Sequence, residues 1–238
     1  MDKQFTHDLK AYSHSLGADL FGVADLKHVK GIPTIPPDLL DSFKYAVIIG
    51  VSYSFEVFEQ IVDGPTPLYS RQQTAANALL DHMSFLVQKY LAAAGYRALA
   101  QPASLVMDKE NWMPNVSTKA LGRAAGLGWL GKNLLLINPE YGSRIRIAAV
   151  LTDAPLEAGI PMQNHCGECT KCQEACPAQA IRGAYWQDYP ESRETALDFA
   201  RCLGKLKDEF SPRPDIGQPI CGICIKACPF TQPKKRSK

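Results

Sequence analysis

The chain has 238 residues, of which 46% are hydrophobic and 21% charged, a composition that excludes a disordered protein. Its 26 lysines and arginines against 24 aspartates and glutamates give a formal net charge of +2, which does not favour a nucleic-acid-binding protein. No apolar stretch approaches the roughly 20 residues that cross a bilayer, and the N-terminus lacks the apolar core of a signal peptide. We therefore expect a soluble, cytoplasmic protein with no membrane partner.

The first 160 residues alternate helical and strand patterns. Helices are predicted over residues 2–16, 70–94 and 117–125, and strands over residues 19–24, 45–52, 133–137 and 144–151. The predicted core stripe of the long helix consists of Leu79, Met83, Leu86, Val87, Tyr90 and Ala94. This alternation predicts an α/β domain over residues 1–160, with helices packed on a mixed sheet.

The cysteines define a second region. All eight lie between Cys166 and Cys228, and such a cluster in a reducing compartment indicates metal binding or catalysis rather than disulfides. We expect a second domain over residues 161–233, followed by a basic tail over residues 234–238 whose charges are solvated.

The spacing of the first four cysteines is typical of bacterial two-cluster ferredoxins. Cys166, Cys169, Cys172 and Cys176, followed by Pro177, form the run C-x2-C-x2-C-x3-C-P, in which the fourth cysteine binds the other cluster. The sequence therefore predicts two [4Fe-4S] clusters whose ligand sets are crossed between motifs.

A partial repeat supplies the remaining ligands. Cys221, Cys224 and Cys228, followed by Pro229, repeat the second half of the first run, and Cys202 is the candidate for the missing ligand. The predicted set for cluster 1 is Cys166, Cys169, Cys172 and Cys228. The predicted set for cluster 2 is Cys176, Cys202, Cys221 and Cys224. Two zinc sites with four cysteines each, or eight buried free thiols, are the alternatives, but zinc ribbons present two separated C-x2-C pairs.

A glycine-rich segment over residues 126–133 formally matches G-x-G-x-x-G. A dinucleotide-binding fingerprint follows a strand and opens a helix, whereas here a helical pattern precedes the glycines and a strand pattern follows them. We therefore reject the dinucleotide interpretation. The glycines indicate either close approach of the backbone to a bulky ligand or a turn that packs tightly.

Residues 126–133, 139–144 and 150–153, together with the double-cluster region, resemble epoxyqueuosine reductase. Members of that family are cobalamin-dependent iron–sulfur enzymes related to the reductive dehalogenases. The resemblance implies an N-terminal nitroreductase-like or corrinoid-reductase-like α/β domain that holds cobalamin, followed by a two-cluster ferredoxin-like module from which an electron passes to cobalt.

The resemblance also implies cofactor-binding residues. Asn133, Leu136 and Ile147 match positions that line the corrinoid, Lys119 matches a basic position near it, and Gly204 matches a contact from the cluster domain. Judged by residue type alone, Leu136 and Ile147 are more typical of a core, and Asn133 of a turn cap.

The chain departs from the family in two ways. Trp112 stands where the queuosine enzymes have an aspartate proton donor, which leaves Asp108 and Glu110 as weak catalytic candidates. The family's helical-repeat extension does not follow Pro229, so we do not expect tRNA as a partner.

Three functions are compatible with these observations. The first is a corrinoid-dependent reductase that receives electrons from a low-potential donor of the ferredoxin or flavodoxin type and acts on a small molecule. The alternative is an electron-transfer or activating partner of a corrinoid protein, which needs no proton donor. A flavin site in the N-terminal domain is the third.

Overall fold

The computed structural model describes residues 1–233, and the predicted basic tail over residues 234–238 lies outside them. Packing divides the chain into two compact units. The sheet unit comprises residues 1–52, 76–128 and 146–162, and the cysteine unit comprises residues 53–75, 129–145 and 163 onward.

One boundary between the units falls after Met162, but neither unit is contiguous in sequence. Residues 53–75 and 129–145, which the sequence pattern assigns to the first domain, pack with the cysteine-bearing segment instead. Packing between distant segments leaves no signal in local periodicity, which reports only which face of an element is apolar.

The helices and strands of the described residues are α1 (Lys3–Ser15), β1 (Leu20–Asp25), β2 (Tyr45–Ser52), α2 (Phe55–Glu59), α3 (Pro67–Ala93), β3 (Ala98–Gln101), α4 (Thr118–Ala124), β4 (Trp129–Leu130), β5 (Leu136–Ile137), β6 (Ile145–Thr152), α5 (Lys171–Glu174), α6 (Arg193–Ala196), α7 (Phe199–Gly204) and α8 (Ile223–Ala227). A π-helical turn over Lys205–Phe210 follows α7. None of the helices in residues 1–233 is both long enough and apolar enough to cross a membrane.

The predicted elements before residue 160 are present, with corrected details. The strand predicted over residues 133–137 is confined to β5, which pairs with β4 in a two-stranded sheet. In α3 the buried stripe contains Leu80, Met83, Val87 and Leu91, whereas Leu79 is 40% exposed. The predicted stripe is therefore wrong at Leu79 and at Ala94, which lies beyond the end of α3 and is exposed. Leu79 and Leu80 are adjacent, so the sequence alone does not show which of the two faces is buried.

The sheet unit is built on a four-stranded sheet with the order β1–β2–β6–β3. β1 is antiparallel to β2, and β3 is antiparallel to β6. The Lys44 amide, before β2, donates to the carbonyl of Thr152 at the end of β6, while Gly50 near the end of β2 lies against the carbonyl of Arg146. β2 and β6 are therefore antiparallel too, and the predicted mixed sheet is wrong, because connection lengths alone do not fix strand direction.

Local signals explain where α1 begins and ends. The Asp2 carboxylate accepts a hydrogen bond from the Phe5 amide and caps the helix. Gly17, just beyond the last turn, has a φ of 105°, a left-handed conformation that glycine adopts at low cost. The predicted start and stop of this helix are confirmed.

In the cysteine unit, residues 53–75 are fastened by polar contacts to the C-terminal segment. The Ser70 hydroxyl donates to the carbonyl of Ile216 at 2.6 Å, and the Gln218 side-chain amide donates to the Ser70 carbonyl at 2.6 Å. The Lys226 ammonium donates to the carbonyls of Glu59 and Ile61 near the end of α2. These contacts explain why residues 53–75 belong to this unit.

Candidate metal centres

All eight cysteines are free thiols in the cysteine unit. Cys172 lies in α5, Cys202 in α7 and Cys224 in α8, and the other five lie in the turns that flank these short helices. Each helix is only four to six residues long, so turns and helix ends bring cysteines from distant parts of the chain together.

The first group of thiols surrounds a small cavity of about 60 Å³. Cys166, Cys169 and Cys172 of the first motif line it together with Cys228 of the second. Burial, reinforced by the charges of the other three cysteines, raises the pKa of Cys172 to about 11. The four residues predicted to bind cluster 1 are therefore neighbours.

The second group combines the remaining four thiols. Burial raises the pKa of Cys221 to about 11, with the neighbouring Cys202 and Cys176 adding to the increase. Burial also raises the pKa of Cys224, and Cys221, Cys202, Cys172 and Cys176 contribute in that order. The cysteines predicted for cluster 2 are thus brought together, and Cys172 lies where the two groups adjoin.

Three cysteines of the second group and one of the first share an apolar neighbourhood. Cys176, Cys202 and Cys224, together with Cys172, pack against a cluster of buried residues, which consists of Ala180, Ile181, Trp186, Ala196 and Leu197. The backbone amide of Ala180 also donates to the Sγ atom of Cys176 at 3.4 Å. In contrast, Cys169 of the first group is exposed to solvent.

The grouping of the donors fits two iron–sulfur cubanes. The eight thiols fall into two groups of four, and each group combines cysteines of both motifs. This crossing between motifs is the arrangement that two-cluster ferredoxins use.

Two polar residues of the glycine-rich segment accompany the first group. Lys132 is 6% exposed, and its ammonium donates to the carbonyl of Cys169 at 3.1 Å. Asn133 is also 6% exposed, and its Oδ1 atom accepts from the Leu135 amide at 3.2 Å. The Nδ2 atom of Asn133 is buried without a hydrogen-bond partner in the described part of the chain, and both residues line the cavity of the first group.

Two of the three glycines in residues 126–133 are explained by packing within the protein. A Cβ atom on Gly131 would lie 2.3 Å from Cδ1 of Ile137, and one on Gly126 would lie 2.6 Å from the carbonyl oxygen of Ile160. At these two positions the expectation of close approach to a ligand is replaced by close approach to protein atoms. The segment also follows α4 and precedes β5, in agreement with our rejection of a dinucleotide fingerprint.

The residues expected to line a corrinoid differ in their environments. Leu136 and Ile147 are only 3% and 6% exposed. Leu136 pairs with Leu130 in the two-stranded sheet, and Ile147 packs beside Gly50 in the sheet unit. Two other candidates are more accessible: Lys119 is half-buried in α4, and Gly204 is half-buried at the end of α7.

The weak catalytic candidates lie in a loop of the sheet unit. The Asp108 carboxylate accepts hydrogen bonds from the amides of Glu110 and Asn111 and from the Asn111 side chain, at 2.7–3.0 Å. Asp108 therefore shapes the loop, as aspartates often do in turns. Glu110 is exposed. Trp112, which replaces the family's aspartate, has a φ of 53°, an unusual conformation for a bulky residue.

The cysteine-bearing segment matches a known family model, and part of the chain is similar to known proteins. Residues 165–231 match the family described as the 4Fe-4S double cluster binding domain. An epoxyqueuosine reductase from Gloeobacter violaceus is 36% identical over 125 residues, which cover 48% of this chain and 36% of that protein. The chain thus spans only about a third of this curated relative's length.

Two solved structures share the fold over nearly the whole chain. A reductive dehalogenase whose structure is reported to suggest a mechanism for B12-dependent dehalogenation has a TM-score of 0.76 at 21% identity, covering 98% of this chain and 32% of that one. An epoxyqueuosine reductase in complex with an epoxyqueuosine-modified tRNA-Tyr stem loop has a TM-score of 0.63 at 24% identity, covering 96% of this chain and 65% of that one.

These comparisons confirm the resemblance to epoxyqueuosine reductase and the α/β fold with a C-terminal ferredoxin-like module. The module is of the two-cluster 4Fe-4S type. Sequence reasoning missed the buried Lys132 beside the first group of cysteines and the inclusion of residues 53–75 in the cysteine unit. The lysine's position inside the glycine-rich segment was visible, but nothing in the sequence indicated its burial.

Proposed function

We propose that this protein is an iron–sulfur reductase that uses a corrinoid and acts on a small electrophilic molecule. The observation that carries the proposal is the pair of four-cysteine groups, joined to a fold shared with a reductive dehalogenase and an epoxyqueuosine reductase. When bound, two [4Fe-4S] clusters would supply single electrons, and the cobalt of a corrinoid would be the redox centre that meets the substrate.

The crossed ligand assignment is the first element of the proposal. Cys166, Cys169, Cys172 and Cys228 would hold cluster 1, and their common cavity supports this set. Cys176, Cys202, Cys221 and Cys224 would hold cluster 2, and their mutual effects on thiol pKa values support that set. Burial raises the pKa values of Cys172, Cys221, Cys224 and Cys228, and binding of positively charged iron would stabilise their thiolates.

The corrinoid is supported by similarity and by a partial fit of the residues. The unpartnered Nδ2 atom of Asn133 is a buried donor that a polar ligand or a cluster sulfur would satisfy. A Cβ on Gly204 would meet only the Asp208 carboxylate, at 3.6 Å, so that side of α7 is open to a ligand. Leu136 and Ile147 are so deeply buried that they could make only limited apolar contacts with a corrinoid.

Lys119 is the last of the residues that we propose to contact the corrinoid. It is half-buried in the first turn of α4, which Ser117 caps by accepting from the Ala120 amide. A half-buried lysine can cover apolar surface with its stem while its ammonium reaches solvent. Its proposed role is to hold an amide or phosphate arm of the corrinoid, for which a lysine is a suitable donor.

The binding part of the proposal is tested by spectroscopy of anaerobically prepared protein. Hydroxocobalamin added to the cluster-loaded protein is expected to bind and to change its visible spectrum. Gly204→Leu should weaken binding at least tenfold because the new side chain fills the open side of α7. The control is Lys207→Leu at an exposed position beyond α7, which should bind like the wild type. No binding by the wild type would contradict the corrinoid proposal.

The alternative is an electron-transfer or activating partner of a separate corrinoid protein. Trp112 favours it, because an electron carrier needs no proton donor and this chain has tryptophan in the place of the family's aspartate. Asp108 is already used in loop hydrogen bonds. Protein that contains both clusters, binds no free corrinoid and reduces a corrinoid protein would support this alternative.

The proposed electron source is a low-potential ferredoxin or flavodoxin, since clusters that reduce a corrinoid cobalt would have to lie at the low end of the range that iron–sulfur centres span. Reduction of the clusters by such a donor can be followed by bleaching of their visible absorbance. For the substrate, we propose a small molecule rather than tRNA, because Trp112 removes the aspartate on which the resemblance to the queuosine enzymes would place proton transfer.

A further inference from the structure

A buried lysine stands beside the predicted site of cluster 1. Lys132 is 6% exposed and lines the same cavity as Cys166, Cys169, Cys172 and Cys228. Its ammonium donates to the carbonyl of Cys169 at 3.1 Å. None of the ion pairs found in residues 1–233 includes Lys132.

A buried ammonium without a carboxylate partner is costly unless another negative charge compensates it. A hydrogen bond to one neutral carbonyl satisfies a donor but supplies no opposite charge. A cubane with four thiolate ligands is anionic, and each electron that it accepts makes it more negative. A cation held beside it favours the reduced form, because the attraction grows with the negative charge.

Two lysines of residues 1–233 lie near the second group, and neither matches the burial of Lys132. Lys226, two residues after Cys224, is half-buried and donates to the carbonyls of Glu59 and Ile61. Lys205 lies close enough to Cys221 to oppose slightly the increase in the pKa of that thiol, but its Nζ atom pairs with the Glu209 carboxylate at 2.5 Å, which offsets the charge.

The apolar cluster packs against Cys176, Cys202 and Cys224 but, of the first group within residues 1–233, against Cys172 alone, so it disfavours added negative charge mainly at the second group. The two cluster sites therefore differ in electrostatic environment.

We propose that Lys132 is a positioning residue whose charge raises the reduction potential of cluster 1 above that of cluster 2. The inference rests on the two-cluster part of the proposed function and does not depend on a corrinoid. Because the cluster with the higher reduction potential is reduced first, a single electron delivered to the protein would reside on cluster 1.

The test is an EPR-monitored redox titration of the cluster-loaded protein. In Lys132→Met, which keeps the aliphatic stem but removes the charge, the higher midpoint potential should fall by at least 59 mV, a tenfold change in the equilibrium of a one-electron couple. The lower midpoint should stay in place, and Lys132→Arg should resemble the wild type. The matched control is Lys171→Met, because Lys171 lies between Cys169 and Cys172 but is exposed, so water screens its charge.

Each outcome decides the proposal. A shift in Lys132→Met no larger than that in Lys171→Met would overturn it. Loss of one cluster from Lys132→Met but not from Lys132→Arg would support it, since these variants differ in charge. Loss from both would overturn it, because the lysine would then be needed for its shape. A wild type without [4Fe-4S] signals would instead refute the two-cluster function itself.

Discussion

The side chain of Asn164 accepts a hydrogen bond from the backbone amide of Cys166 at 2.9 Å. The Nδ2 group of Asn164 donates to the carbonyls of Leu130 and Trp186, at 3.0 and 2.7 Å. One buried amide thus ties the turn that carries the first cysteine to β4 and to Trp186 of the apolar cluster.

We predict that Asn164→Ala lowers the free energy of unfolding by about 1–3 kcal/mol, because it leaves buried backbone groups without partners. Cluster 1 should also dissociate more readily, because the turn that carries Cys166 is no longer held by this hydrogen bond. Urea denaturation and iron content under anaerobic conditions measure both effects. Asn164→Asp keeps the acceptor for Cys166 and should retain more iron than the alanine variant; equal loss from both would contradict the role assigned to that acceptor.

The crossed ligand sets predict different results for two cysteines of the same motif. Cys176→Ala should damage cluster 2 and leave cluster 1, although Cys176 belongs to the first motif. Cys172→Ala should damage cluster 1, because Cys172 lines that cavity. Iron analysis and EPR of the two variants provide the comparison. If Cys176→Ala lost cluster 1 instead, the assignment would be wrong.

A glycine near the C-terminal cysteine motif allows a test of close packing. Gly142 has a φ of 60°, and a Cβ there would lie 2.4 Å from the backbone nitrogen of Thr231, in the turn that follows Cys228. Gly142→Ala should therefore cost more than the roughly 1 kcal/mol expected from backbone strain alone. It should also displace the Cys228 turn and release iron from cluster 1.

Gly217 is the matched control for this substitution. Its φ is 67°, but a Cβ there would meet nothing within 4 Å, so Gly217→Ala has the strain without the clash. The difference between the two midpoints of chemical denaturation isolates the packing contribution. Equal destabilisation by both variants would show that Gly142 is required only for its backbone conformation.

The raised thiol pKa values predict how the clusters respond to pH. Burial raises the pKa of Cys172 and of Cys221 to about 11, so a released thiolate is protonated at neutral pH. Because protons compete with iron for these sulfurs, iron loss to a chelator should become faster as the pH falls from 8 to 6. Absorbance of the released iron complex follows the reaction. Iron loss that is independent of pH, or faster in alkali, would contradict this expectation.

The sequence predicted those parts of the fold that local chemistry determines. Asp2 and Gly17 delimit α1, and the uninterrupted apolar run over Tyr45–Ser52 forms β2 as predicted. β3 was missed, because Ala98–Gln101 contains no β-branched or aromatic residue that favours a strand. Strand direction and the packing of residues 53–75 depend on distant contacts, which a local pattern does not encode.

The candidate site likewise combines features that the local sequence predicts with features that depend on contacts between distant residues. Cysteine spacing is sufficient to predict a two-cluster module, because the turns that hold a cubane require cysteines at fixed intervals. The burial of Lys132 and the unpartnered donor of Asn133 arise from how β4 and β5 pack with the cysteine-bearing turns. These features therefore become visible only in the folded protein.

Metal and sulfide analysis of anaerobically purified protein, combined with EPR after reduction, tests the central claim most directly. Two cubanes predict about eight iron atoms and eight acid-labile sulfides per chain, together with signals of two reduced [4Fe-4S] clusters. Colourless protein that contains zinc and no iron, prepared without exposure to oxygen, would contradict the account.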